Sequence, residues 1–221
     1  TNFANGNPIG RLHEGADSVR SLVVGSLAQS SGKNDLVSLN NPSPFSRIGP
    51  GPAYIVKPDL VHYGGNVSVD EHGRIKETGN LTIGMGGSTI YSSGTSFSTP
   101  RIAALAAELS NDIKEEFDPL LIKALLIHSC NYPSEINMPI NERTNYTGFG
   151  KPSSVAQILY NAPNEVTLIL RDTLVKGQYI DIKDFPMPDC LVKDGYYSGQ
   201  IIATLVYDSV LEPSQGFEYC Q

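Results

Sequence analysis

Gly94-Thr95-Ser96-Phe97-Ser98-Thr99-Pro100 runs directly into Arg101-Ile102-Ala103-Ala104-Leu105-Ala106-Ala107-Glu108-Leu109, and the change of character between them decides how the chain is read. Small and hydroxylated residues give way to Ile102, Leu105, Ala106 and Leu109 at helical spacing. Pro100 fits the first turn of that helix, where the N–H it lacks would have no intrahelical acceptor. Ser96 is therefore expected just ahead of a helix N-terminus. Unpaired backbone N–H groups and the positive end of the helix dipole collect at such a place, ready for negative charge on a reacting atom. That suits a nucleophilic serine. Plain capping of a buried helix by Ser96, Ser98 or Thr99 uses the same residue types.

The full string, Gly94 to Pro100, resembles the nucleophile motif of the subtilisin-like serine peptidases, Gly-Thr-Ser-x-[Ala/Ser]-x-Pro, which also leads into a helix of small residues. It departs from the Gly-x-Ser-x-Gly elbow of α/β-hydrolases because Ser98 stands where that motif closes with glycine. The resemblance implies that Ser96 is the nucleophile and that the substrate is a polypeptide, with no cofactor and no metal.

Upstream, Ser21-Leu22-Val23-Val24-Gly25-Ser26-Leu27 is a nearly continuous apolar run, as in a strand buried on both faces of a parallel sheet. In the family, a strand ending Val-Gly-[Ala/Ser] follows a Gly-Asn pair whose Asn side chain completes the oxyanion hole. Counting back without a gap from Val24-Gly25 lands on Asn2, preceded by Thr1 in place of Gly. Asn5 and Asn7 compete for that role, and all three also read as turn residues.

Phe45-Ser46-Arg47-Ile48-Gly49 and Lys57-Pro58-Asp59-Leu60-Val61-His62-Tyr63-Gly64 resemble the family segments Phe-Ser-x-x-Gly and Lys-Pro-Asp-[Ile/Leu]-x-Ala-Pro-Gly. Asp59 then reads as a structural carboxylate accepting from nearby backbone N–H groups, and His62 as a packed loop residue. The polar stretch from 66 to 80 centres on a hairpin turn with His72 at its surface. Gly84-Met85-Gly86-Gly87-Ser88 lacks Gly-Lys-[Ser/Thr] and reads as a tight turn rather than a phosphate cradle.

Asp118-Pro119 opens a second helix, apolar nearly all round, with His128 near its end and Cys130 buried beyond it. Gly148-Phe149-Gly150-Lys151-Pro152 and the run to Leu159 resemble the turn and final helix that close the family's domain. Beyond Asn161, Val166–Leu170, Tyr179–Ile182 and Ile201–Tyr207 are strand-like runs without helical periodicity.

The 221 residues carry a net charge of −7 without a sustained Lys/Arg cluster, which argues against nucleic acid or an anionic membrane as partner. Cys130, Cys190 and Cys220 share no metal-ligand or redox spacing. Asn66-Val67-Ser68, Asn80-Leu81-Thr82 and Asn145-Tyr146-Thr147 fit the glycosylation acceptor pattern.

A serine nucleophile needs a base, and the base an orienting acid. The family's Asp-x-Gly and His-Gly-Thr segments precede everything in this chain, and neither His13 nor His72 stands at the base position. The expected architecture is α/β: residues 1–160 form the C-terminal part of a subtilisin-like domain, a mainly parallel sheet flanked by helices, and residues 161–221 an antiparallel, sandwich-like β segment. The expected function is serine endopeptidase activity in a parent that supplies the upstream part of the same domain, with this chain inactive alone. A non-catalytic subtilisin-like binding module and a serine esterase are the rival readings.

Overall fold

The computed structural model describes residues 10–13, 15–114, 116–136, 138–183, 185, 187–208, 210–212 and 214–215. Asn2, Asn5, Asn7 and Cys220 lie outside the described residues.

Two strands, β1 (Val24–Leu27) and β2 (Leu60–Tyr63), pair in parallel from Val24↔Leu60 to Leu27↔Tyr63. Their apolar runs are buried on both faces, because Leu60 joins a cluster with the helices while Val61 and Leu27 pack with Ile136 on the other side. The expected sheet is mainly parallel, yet among the described residues this is the one parallel strand pair, beside an isolated parallel bridge between Arg11 and Ile48. The other three pairs are antiparallel. The reason is connection length: a long crossover separates β1 from β2, whereas the remaining partners are joined by short turns that permit only hairpins.

The first hairpin joins β3 (Asn66–Val69) to β4 (Ile75–Thr78). Asp70 fixes its turn, its Oδ1 accepting from the N–H groups of His72 at 2.9 Å and Arg74 at 2.8 Å. The second joins β5 (Asn80–Ile83) to β6 (Thr89–Ser92) through the glycine-rich turn, closed by Gly84 N–H to the Ser88 carbonyl at 2.7 Å. A tight turn is what the sequence implied there.

Helix α1 spans Thr95–Ile113, so it begins five residues before Pro100 and takes Ser96 into its first turn. This corrects the expectation that Ser96 lies ahead of the helix. Gly94, at φ 154°, swings the chain out of β6, after which Phe97 N–H bonds the Gly94 carbonyl at 3.0 Å and the Ser98 hydroxyl donates to the Thr95 carbonyl at 3.1 Å. Pro100 withholds the N–H that would reach the Ser96 carbonyl. Ser96 is solvent-exposed, so water can replace that donor.

Ile102 and Leu109 of α1 are buried against Leu121, Ile122, Leu125 and Leu126 of α2 (Pro119–His128) and Val155 of α4 (Val155–Leu159). Asp118 caps α2, its Oδ1 accepting from Leu120 N–H at 2.9 Å and Leu121 N–H at 3.2 Å. Between them lies the short α3 (Ile140–Thr147).

The sandwich expected beyond residue 161 is not what the structure presents. Val166–Leu170, Tyr179–Ile182 and Ile201–Tyr207 belong to no strand, and Leu170 and Leu205 are 64% and 83% exposed. Among the described residues of this segment, the one ladder is β7 (Val192–Lys193) with β8 (Tyr196–Tyr197). An apolar extended run becomes a strand only when a neighbour takes up its N–H and C=O groups, and residue pattern does not reveal whether a neighbour is present. The segment is tied back to the helices and to the loop before β1 by Arg171 to Asp118 at 2.8 Å, His128 to Thr204 at 2.9 Å and Arg20 to Asp208 at 2.7 Å.

Candidate active site

The loop that carries Ser96 is anchored from three directions. Glu77 on β4 receives it first: its Oε2 accepts from the Ser92 hydroxyl at 2.7 Å and from Ser93 N–H at 3.1 Å. One residue on, Gly94 N–H donates to the Gly64 carbonyl at 2.8 Å, at the end of β2. Gly64 N–H in turn reaches the Leu27 carbonyl at the end of β1, 3.0 Å away. Only glycine fits there, since a Cβ on Gly64 would lie 2.2 Å from Ser26 Oγ and 2.7 Å from the Gly94 carbonyl oxygen. The third anchor is Asn80, 4% exposed, whose Nδ2 also donates to the Gly64 carbonyl at 2.7 Å while its Oδ1 accepts from Arg101 of α1 at 3.3 Å.

The loop therefore hangs from the C-terminal ends of the two parallel strands, and α1 begins at its far side. Ser96 is exposed in that first turn. The N–H groups of Thr95 and Ser96 itself have no acceptor within the helix. Ser98 is fully buried with its hydroxyl spent on the Thr95 carbonyl, which removes it from competition.

The histidines have other surroundings. His62 is on β2, not in a loop, and its Nδ1 accepts from Tyr63 N–H at 2.8 Å. Burial, with Lys151 and Arg101 adding to it, pushes its pKa down from 6.5 to about 4, so it is neutral at pH 7. His13 and His72 are exposed turn residues, and His128 ends α2 against Thr204. Asp59 is structural, as expected: Oδ2 accepts from Val23 N–H at 2.7 Å and meets Lys57 Nζ at 2.5 Å, while Oδ1 lies 3.4 Å from Lys123.

Asn66 and Asn80 begin triplets that fit the glycosylation pattern, but both amides are buried and committed. Asn66 Nδ2 donates to the carbonyls of Ser30 at 3.1 Å and Val37 at 2.7 Å, and Asn80 Nδ2 to that of Gly64. A glycan needs that nitrogen in water. The anchoring roles of Asn80 and Glu77 were not legible in the sequence, because they depend on hairpins that bring residues 77 and 80 beside residues 92 to 101. Among the described residues, no group of three or more His, Cys, Asp or Glu side chains is placed to hold a metal ion.

The model of the subtilase family matches residues 2–154, more than half of the chain. The chain belongs to the subtilase family. The match includes β1, β2, both hairpins, the Ser96 loop and α1 to α3 of this subtilase. It is also similar, at 29% identity over 226 residues, to the uncharacterized protein y4bN of Sinorhizobium fredii (strain NBRC 101917 / NGR234), covering 90% of this chain and 51% of that protein. The chain thus spans about half the length of the curated relative it matches.

Among solved structures it is similar to the prenylagaramide maturation protease PagA, at 23% identity and TM-score 0.47, over 68% of this chain and 46% of that one. It is similar to the CspB protease of Clostridium perfringens at 22% identity and TM-score 0.45, over 66% and 27%. MycP1 from Mycobacterium smegmatis gives 24% identity and TM-score 0.39, over 70% and 34%.

Proposed function

We propose that this chain is the nucleophile-bearing part of a serine endopeptidase. Ser96 Oγ attacks the scissile carbonyl carbon of a polypeptide. The hydroxyl proton passes to a base, the C–N bond breaks as the leaving amine takes that proton, and water then releases the acyl group from Ser96. The observation that carries this reading is the exposed Ser96 in the first turn of α1, two residues after a glycine tied to the end of β2. Membership of the subtilase family supports the reaction class.

The base and its orienting acid come from the part of the parent outside these 221 residues, in keeping with a chain that spans about half of its relative. Asn2 is the proposed side-chain donor to the oxyanion, with Asn5 and Asn7 as competitors. It would join the unpaired N–H groups at the start of α1 around the developing charge. Without base and acid, the isolated chain is inert toward peptides.

The test is turnover of an unfolded protein substrate by the full-length parent and its Ser96→Ala variant. Loss of turnover with an unchanged circular dichroism spectrum and melting temperature is the expected result. Equal turnover by the variant would overturn the assignment.

A further inference from the structure

We infer that Asn80 is a positioning residue for the nucleophile loop, acting together with Arg101. The inference rests on the reading of Ser96 as the nucleophile. It comes from the way one carbonyl oxygen is shared. The Gly64 oxygen has two lone pairs, and both are used: one by Gly94 N–H at 2.8 Å, the other by Asn80 Nδ2 at 2.7 Å. Gly94 is the hinge from which α1 starts, two residues before Ser96. Asn80 therefore fixes the oxygen on which that hinge hangs.

The other end of the same amide accepts from Arg101 Nη2 at 3.3 Å, five residues beyond Ser96. Asn80 thus links the two sides of the turn that bears Ser96, the end of β2 before it and α1 after it. The packing leaves little room for the link to drift. A Cβ on Gly65 would come within 2.8 Å of Asn80 Nδ2 and 2.9 Å of Ser93 Cβ, and one on Gly79 within 2.7 Å of Gly65 Cα. Asn80 and Ser92 are also directly opposed in the β5–β6 ladder, which sets the amide at the strand end that delivers the loop.

Asparagine is needed because the amide donates at one end and accepts at the other. Asn80→Asp keeps the shape and strengthens the contact to Arg101, but sets a carboxylate oxygen against the Gly64 carbonyl. The hinge carbonyl is then repelled instead of held. Displacement of a reacting atom by a fraction of an ångström to one ångström lowers the chemical step by about tenfold to a hundredfold. The Gly64–Asn80 link carries the position of Ser96 and not contacts to the rest of a substrate, so KM is expected to change little.

In the full-length parent, Asn80→Asp is expected to lower kcat by about tenfold or more and to slow inactivation by a fluorophosphonate to the same degree, with KM within about twofold of wild type. Arg101→Met, at an exposed position on α1, is expected to give a smaller loss of the same kind, and it carries the test if Asn80→Asp fails to fold. Wild-type kcat and inactivation rate in whichever of the two variants folds would overturn the positioning role, as would a loss confined to KM. Ser96→Ala is measured alongside: turnover surviving in that variant would instead overturn the nucleophile assignment, so the two failures are distinguishable.

Discussion

The Lys57 ammonium lies 2.5 Å from Asp59 Oδ2, and the two side chains are 1% and 7% exposed. Burial is the larger influence on Lys57 and draws its pKa below the ordinary lysine value, against the opposing pull of the hydrogen bond it donates to Asp59. Asp59 also accepts from Val23 N–H and pairs with the Lys123 ammonium, so its carboxylate ties the residues just before β1 and β2 to α2.

Asp59→Ala leaves the Lys57 ammonium buried without its carboxylate and frees the Val23 N–H. Removal of one partner from a buried pair costs about 3–5 kcal/mol. Chemical denaturation of wild type and variant checks this, and a loss below about 1 kcal/mol would contradict a structural role for the carboxylate.

His62 gives the fold a dependence on pH. Its folded-state pKa is about 4 against an ordinary 6.5, so the unfolded chain binds a proton between those values while the folded one does not. The contribution is complete above pH 6.5, falls as the pH drops toward 4 and levels off below that. At its full extent it amounts to no more than about 3 kcal/mol, reduced by the partial exposure of the ring. His62→Ala should flatten this part of the curve in denaturation measured from pH 7 to pH 4. An unchanged slope would show that His62 titrates normally.

The parts of this fold that were legible in the sequence are those whose determinants are local. Asp118-Pro119 announces the start of α2, the spacing of Ile102, Leu105 and Leu109 announces the buried face of α1, and Gly84 to Ser88 announces a tight turn. The start of α1 was misplaced because Pro100 ordinarily marks a first helical position. Here the earlier turn is created by Gly94 on its tertiary anchor at Gly64, a contact between positions 30 residues apart that no local pattern records. The β-sandwich expectation is not matched among the described residues for a related reason: Ile201–Tyr207 has strand composition, but composition does not state whether a neighbouring strand exists. Within the candidate site, the motif singles out Ser96, which the structure places exposed in the first turn of α1, whereas Asn80 carries a glycosylation signature that conceals a buried anchor.

The cysteines divide by environment. Burial pushes the Cys130 thiol up to about 12, and its Sγ donates to the Leu126 carbonyl at 3.2 Å, whereas Cys190 is exposed. In a Cys220→Ser background, a thiol-reactive disulfide reagent at pH 8 should modify Cys190 rapidly and Cys130 only upon unfolding. Equal rates for the two in the folded protein would contradict this packing.

Two glycines separate steric need from backbone preference. A Cβ on Gly148, at φ 57°, would sit 2.1 Å from the Pro58 carbonyl oxygen and 2.3 Å from that of Asp59, whereas one on Gly73, at φ 76°, meets nothing within 4 Å. Gly148→Ala should cost about 3 kcal/mol or more, and Gly73→Ala about 1 kcal/mol from its left-handed backbone alone. Thermal denaturation of both variants reads the difference, and equal losses would contradict the close approach at Gly148.

If Ser96 is the activated nucleophile of the parent protein, a reagent that phosphonylates activated serines will mark it alone. The most direct measurement is to react the full-length parent with a fluorophosphonate, digest it with trypsin and locate the adduct by fragmentation of the peptide Glu77–Arg101, which contains Ser88, Ser92, Ser93, Ser96 and Ser98. A single adduct on Ser96 is expected, formed rapidly in the parent and not in the 221-residue chain alone. An adduct on Ser93 or Ser98, or none in this peptide while the parent still cleaves protein, would contradict it.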